Sequence, residues 1–145
     1  MGEINMPSDD YVFVDGSFNT KTQKYGYGGV LIHGGKTYKL QGSGTDSEYA
    51  KMRNVAGEIL GAQAGIEKAI ELKIEKVTVI YDYLGIEYWA RGIWKRNKKG
   101  TIAYKKFIDN ATEKIEIHFK KVKSHSGIKG NDIADQLAKE AVDIK

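Results

Sequence analysis

The chain has 145 residues, 41% hydrophobic and 29% charged, with a net charge of +4 and no cysteine. One domain of that size buries roughly two-thirds of its extended surface, and without thiols it excludes disulfides, thiolate zinc sites and iron–sulfur chemistry, so any metal must be held by oxygen or imidazole. No apolar run approaches the about 20 residues of a membrane span, and Met1 to Pro7 lacks the basic start and apolar stretch of a secretory leader, so a cytoplasmic protein with no membrane partner is expected. In chain order, residues 1–10 are a polar, flexible lead-in and residues 11–145 are the single domain. Tyr11 to Val14 is a short β-type run that meets Asp15-Gly16-Ser17. Tyr25 to Ile32 and Lys36 to Leu40 are rich in β formers and flank His33-Gly34-Gly35, a hairpin signal because glycine supplies the positive φ of tight turns. The first three strands therefore read as an antiparallel meander. Gly42 to Lys51 reads as loop, with at most a loose first helical turn.

From Asn54 to Leu72 the pattern turns helical, with Val55, Ile59, Ala62, Ile66 and Ala69 recurring at spacings of three and four. Lys76 to Tyr81 is a buried strand. A short helix follows at Ile86 to Trp94, then a Lys-rich turn and a helix from Ile102 to Ala111. Ile115 to Val122 is a strand, and Asp132 to Val142 is a final helix with Ile133, Ala134, Leu137 and Ala138 on its apolar face. The order β-β-β-α-β-α-α-β-α, a meander followed by strand–helix alternation, implies an α/β fold: a five-stranded mixed sheet with helices packed on it.

Carboxylates mark this frame at regular places. Asp15 follows the apolar Val12 and Val14 at the end of the first strand; taken alone, it equally suits an Asx turn leaving that strand. Glu58 borders the apolar stripe of the long helix, a position also held by ordinary solvated glutamates, with Asn54 one turn earlier on the same face. Asp82 ends the apolar run Val77-Thr78-Val79-Ile80-Tyr81, and ligands of such sheets bind near strand ends. Asn131 and Asp135 share one face of the last helix, where Asn131 also suits an N-cap, while Asp135 lies near the core side. His125 sits in a Gly-containing loop ten residues before Asp135; beside carboxylates its pKa would rise toward neutrality, which suits a proton carrier. Gathered carboxylates repel and resist desolvation, so they persist with a counter-charge, most simply a divalent cation.

The positive charge is lopsided. Residues 91–106 hold seven Lys/Arg and no acid, and Lys120, Lys121, Lys123 and Lys129 follow in a second acid-free stretch. Such runs are commonly just a solvated face. Here Trp89, Trp94 and Tyr104 are interleaved with the charges, which suits a polyanion whose reacting phosphate meets metal ions.

The Asp15-Gly16-Ser17 strand end, Asn54-Val55-Ala56-Gly57-Glu58, the strand-ending Asp82 and the run from His125-Ser126-Gly127 through Gly130-Asn131 to Ala134-Asp135 together resemble the type 1 branch of ribonuclease H, from about Tyr11 to Val142. The resemblance implies the ribonuclease H-like fold, with helices on both faces of the sheet, and cleavage of the RNA strand of RNA–DNA hybrids to 5′-phosphate and 3′-hydroxyl ends. It implies two Mg²⁺ ions, replaceable by Mn²⁺, with Asp15, Glu58, Asp82 and Asp135 as metal-binding carboxylates and His125 as a mobile histidine assisting proton movement or product release. Gly16, Ser17 and Asn54 match contacts to the hybrid's minor groove, Lys51 and Arg53 match groups that grip a DNA phosphate, and Asn131 matches a residue bordering the metal site. Trp94 and Lys95 open a compact basic run, Trp94 to Lys99, in place of the extra basic helix of some members. Tyr83 stands where the best-known members have serine. A monomer with no obligate protein partner is expected. The rival readings are a resolvase- or integrase-type nuclease on a similar scaffold and a non-catalytic nucleic-acid-binding module.

Overall fold

The computed structural model describes residues 10–123 and 128–144; His125 and nearly all of the expected lead-in lie outside them. The elements run β1 (Tyr11–Asn19), β2 (Lys24–His33), β3 (Lys36–Gly44), α1 (Ser47–Ala50), α2 (Asn54–Glu71), β4 (Lys76–Tyr81), α3 (Gly85–Ala90), α4 (Lys99–Ala111), β5 (Glu116–Lys121) and α5 (Lys129–Ala141). They form one five-stranded sheet in the order β3-β2-β1-β4-β5. β1, β2 and β3 are the expected antiparallel meander, and β1, β4 and β5 are parallel.

Strand periodicity divides the core between the two faces of this sheet. Val12 and Val14 of β1 join Val77, Val79 and Tyr81 of β4 and the buried stripe of α2, with Tyr104, Ile108 and Ala111 of α4 closing the same cluster. Phe13 and Ile80 point the other way, to Ala134 of α5 and Val122. Both faces of the central strands are thus covered, which is why their sequences read as continuous apolar runs rather than alternating ones. Among the described residues no helix is long and apolar enough to cross a membrane.

α2 lies unusually close to the sheet. Gly57 faces Gly26 and Gly16; a Cβ on Gly57 would stand 1.8 Å from the Gly26 carbonyl oxygen. A Cβ on Gly16 would stand 2.2 Å from the Asn54 carbonyl oxygen and 2.6 Å from the Glu58 nitrogen. On the opposite face α5 rests on Gly28, where a Cβ would meet the Ala134 carbonyl oxygen at 2.2 Å. Backbone therefore packs on backbone at the first turns of α2 and along α5.

Several expected boundaries move. β1 does not end in a turn at Asp15-Gly16-Ser17; it continues to Asn19 because those residues pair with Gly28, Tyr27 and Gly26 of β2. β3 extends to Gly44 along β2, and a four-residue α1 follows, capped by the Asp46 side chain accepting from the amides of Glu48 and Tyr49. The short helix is Gly85–Ala90 rather than Ile86 to Trp94, and α4 begins at Lys99, so part of the Lys-rich turn is helix. α5 begins at Lys129; Asn131 is its third residue and buried, and Ile128 occupies the cap.

Gly57→Ala should destabilise the protein by about 3 kcal/mol or more, the cost of overpacking against a backbone that cannot yield. Gly35→Ala should cost clearly less, since nothing lies within 4 Å of a Cβ there although its φ is +76°. Urea unfolding of the two variants measures the difference.

Candidate active site

β1 pairs with β2 along its whole length but with β4 only from Tyr11 to Phe13. Beyond Phe13 and Ile80 the two parallel strands part, and the mouth of this fork holds the acids. Asp15 is on β1, two residues past the last pairing, and Asp82 directly follows β4. This is the carboxyl end of adjacent parallel strands, where ligands of α/β sheets bind. Glu58 enters from α2, one turn after Asn54, at the point where α2 touches Gly16. One oxygen from each of Asp15, Glu58 and Asp82 lies within 4.8 Å of the other two.

Asp135 completes the expected set from the other face, outside that trio. It lies on α5 above Asp15, reaching it by a hydrogen bond and by charge, and its Oδ2 is 3.1 Å from the Lys139 ammonium one turn along the helix. Lys139 is the counter-charge that the motif reading missed; its i,i+4 spacing from Asp135 was the available signal.

The cluster is poorly solvated. Asp15 is 8% and Glu58 2% exposed. Burial, then the Asp82 charge and Asp135, raise the Asp15 pKa to about 7, against the opposing pull of the Gly16 amide, which donates to Oδ1 at 2.9 Å. Burial first, then a hydrogen bond and charge from Asp82, then the Asp15 charge, raise Glu58 to about 10. Glu58 Oε1 is buried without a hydrogen-bond partner among the described residues. Carboxylates held this closely together away from water are costly unless a cation shares them. The donor set is all oxygen, the preference of Mg²⁺, Mn²⁺ or Ca²⁺. These residues fit a hard divalent cation.

Around the acids, the expected substrate groups divide. Gly16 and Ser17 are in β1, with Gly16 against the carbonyl of Asn54, whose side chain is exposed at the start of α2. Arg53, in the left-handed φ of +56°, stacks its guanidinium 5.2 Å from the Phe18 ring centroid. Lys51 is exposed and paired with Glu48 at 3.0 Å. On the Asp82 side, Tyr83, Tyr88, Trp89 and Trp94 form one ring cluster with centroids 5.6–6.1 Å apart, and Lys95 is exposed beyond it. Tyr104 does not belong to this surface: it is fully buried and donates to the Ile86 carbonyl at 2.6 Å. Asn131 is 3% exposed.

The family model for RNase H matches residues 7–143. A ribonuclease H of Pseudoalteromonas translucida is 31% identical over 144 residues, covering 92% of this chain and 90% of that one. Among solved structures, RNase H1 of the halophilic archaeon Halobacterium salinarum superposes with a TM-score of 0.75 at 19% identity, covering 92% of this chain and 97% of that one. LC11-RNase H1, solved in complex with an RNA/DNA hybrid, superposes with a TM-score of 0.71 at 13% identity, covering 92% and 99%.

The raised carboxylates set a pH dependence for the metal-free protein. Unfolded, Asp15 and Glu58 ionise near 3.8 and 4.5; folded, they hold their protons to about 7 and about 10. The folded state binds more protons, so their contribution to stability is intact below pH 4 and is lost as pH rises, through about 7 for Asp15 and on through about 10 for Glu58. Asp15→Asn should therefore stabilise the protein in EDTA at pH 8 by about 2 kcal/mol, part of the roughly 4 kcal/mol that such a pKa shift represents. The gain should shrink at pH 4, and thermal unfolding at the two pH values measures it.

Proposed function

The chain belongs to the ribonuclease H family, and on that premise we propose that it hydrolyses the RNA strand of RNA–DNA hybrids with two Mg²⁺ ions, leaving 5′-phosphate and 3′-hydroxyl ends. It is an endoribonuclease. The observation that carries the finer reading is the close trio Asp15, Glu58 and Asp82, the first two of them buried, with Asp135 beside it. That LC11-RNase H1 binds an RNA/DNA hybrid on the same fold supports the choice of substrate.

Asp15 would be shared between the ions, because it is the acid that feels both Asp82 and Asp135. Glu58 and Asp82 would hold one ion, and Asp135 would complete the other. When bound, divalent ions supply positive charge to the scissile phosphate and the leaving oxygen, and make a water acidic enough to attack at neutral pH. The carboxylates fix those charges at the fork between β1 and β4, on rigid elements rather than loops. Asp15 and Glu58 would hold divalent cations as ionised carboxylates, so occupancy should strengthen as pH rises through about 7 and on toward 10.

Asn54 and the β1 backbone at Gly16 and Ser17 lie on the Asp15 side, where hydrogen bonds to 2′-hydroxyls would distinguish RNA from DNA. Arg53 and Lys51 would hold a phosphate of the DNA strand. Trp94 and Lys95, on the Asp82 side, offer a ring surface and a cation to the flanking backbone. Phosphate neutralisation of this kind makes binding salt-sensitive.

The direct test is an end-labelled RNA–DNA hybrid incubated with Mg²⁺ or EDTA beside matched duplex DNA and duplex RNA. Only the hybrid's RNA strand should be cut, only with metal, and mass spectrometry should find 5′-phosphates. Asp15→Asn and Asp82→Asn should abolish cutting while hybrid binding remains; wild-type rates in either would remove that residue from the site. His125→Ala should slow turnover without ending it.

A further inference from the structure

The residues on either side of Asp82 are both tied to α3 and the turn after it. Tyr81, the last residue of β4, is fully buried, packs edge-on to Phe119 with centroids 6.1 Å apart, and donates its phenol to Glu87 Oε1 at 2.5 Å. The other oxygen of Glu87 accepts from Arg91 Nε at 2.6 Å. On the far side of Asp82, Tyr83 packs against Trp89 and Trp94. Gly92, at φ +76°, turns the chain back after α3 so that the amides of Ile93 and Trp94 both donate to the Tyr88 carbonyl, at 2.8 and 3.3 Å. The Trp94 indole thereby lands on Tyr88 and Trp89.

An i,i+4 Glu–Arg pair on a short helix is ordinarily worth a few tenths of a kcal/mol and positions nothing. Glu87 differs in its second partner. Its side chain is only 19% exposed, and it bridges a phenol in the core to a guanidinium that is 54% exposed. It therefore links the last core residue before Asp82 to α3, which carries Tyr88 and Trp89, and through it to the following turn with Trp94 and the basic residues Arg91, Lys95 and Arg96.

We propose that Glu87 is a positioning residue of the active site: by joining Tyr81 to Arg91 it sets the approach of Asp82 to its partner carboxylates and, with the same bonds, the placement of the aromatic and basic surface relative to them. The inference rests on the metal-dependent hybrid hydrolase reading above. Small displacements suffice, since a 1 Å misplacement of a reacting geometry costs on the order of 100-fold in rate.

The test uses Tyr81→Phe, which keeps the ring and its packing and deletes only the hydroxyl, with Glu87→Ala, Glu87→Gln and the double variant Tyr81→Phe/Glu87→Ala. Mg²⁺ binding to the free protein is read by calorimetry, and KM and kcat are read on the hybrid. Tyr81→Phe and Glu87→Ala should each weaken Mg²⁺ binding and raise KM by about tenfold, the lower end of the scale of one lost charge-assisted hydrogen bond. The double variant should be no worse than the more damaged single one, because both break one link. Glu87→Gln, which retains an acceptor for the phenol, should recover most of the Mg²⁺ affinity. Unchanged Mg²⁺ affinity and KM in Tyr81→Phe, with only a lowered Tm, would reduce Glu87 to a structural pair and overturn the proposal. Additive losses in the double variant would overturn it as well. If the wild-type protein neither binds Mg²⁺ nor cuts the hybrid, the functional reading itself fails and this inference falls with it.

Discussion

Backbone-on-backbone contact between helices and sheet is the constraint from which the site follows. Where Gly57 meets Gly26 and Gly16 has no side chain, α2 sits at a distance that any β-carbon would forbid. That closeness presses Glu58 into the sheet beside Asp15. On the opposite face Gly28 is the register partner of Asp15, and α5 lies on it in the same way, which brings Asp135 over the same aspartate. Two helices on two faces thus converge on one residue of the central strand. The fork between β1 and β4 supplies the opening through which the fold presents their acids.

The arrangement is electrostatically unfavourable by itself. Burial and mutual repulsion hold Asp15 and Glu58 well above ordinary carboxylate pKa values, and Lys139 answers only the outermost acid. Active sites commonly store such tension, and a cation that binds the folded form alone relieves it. The surrounding surface carries the opposite sign, in Arg53, Lys51, Arg91, Lys95 and Arg96. A polyanion drawn by that rim meets acids at its centre, and the two signs are compatible only with positive ions between them.

Much of this was legible in the chain because it is written in local periodicity. Lys76 to Tyr81 is a strand with the bounds read from its apolar run, and α2 starts at Asn54 as its three-and-four spacing required. What local pattern could not supply was tertiary. Asp15-Gly16-Ser17 looks like a turn in isolation; its strand geometry comes from pairing with Gly28, Tyr27 and Gly26, two of which are glycines and poor β formers. β3 outran its expected end for the same reason, through Gly42 and Gly44 paired on β2. The depth of Glu58 depends on a long-range glycine contact, and no helical-wheel argument separates it from a solvated flanking glutamate. Tyr104, apparently one aromatic among surface lysines, is buried because α4 turns that residue onto Ile86.

Asp135 sits on the last element of the sheet's covering layers, and the acids it joins come from β1, α2 and the end of β4. A chain emerging from the ribosome can therefore assemble the meander, α2 and β4, and with them three of the four acids, while α5 is still in the exit tunnel. In that interval the Gly28 face is bare and Asp15 has no neighbour from above. The complete set of charges exists only once α5 has docked, so the last helix to be synthesised is the one that completes the acidic cluster.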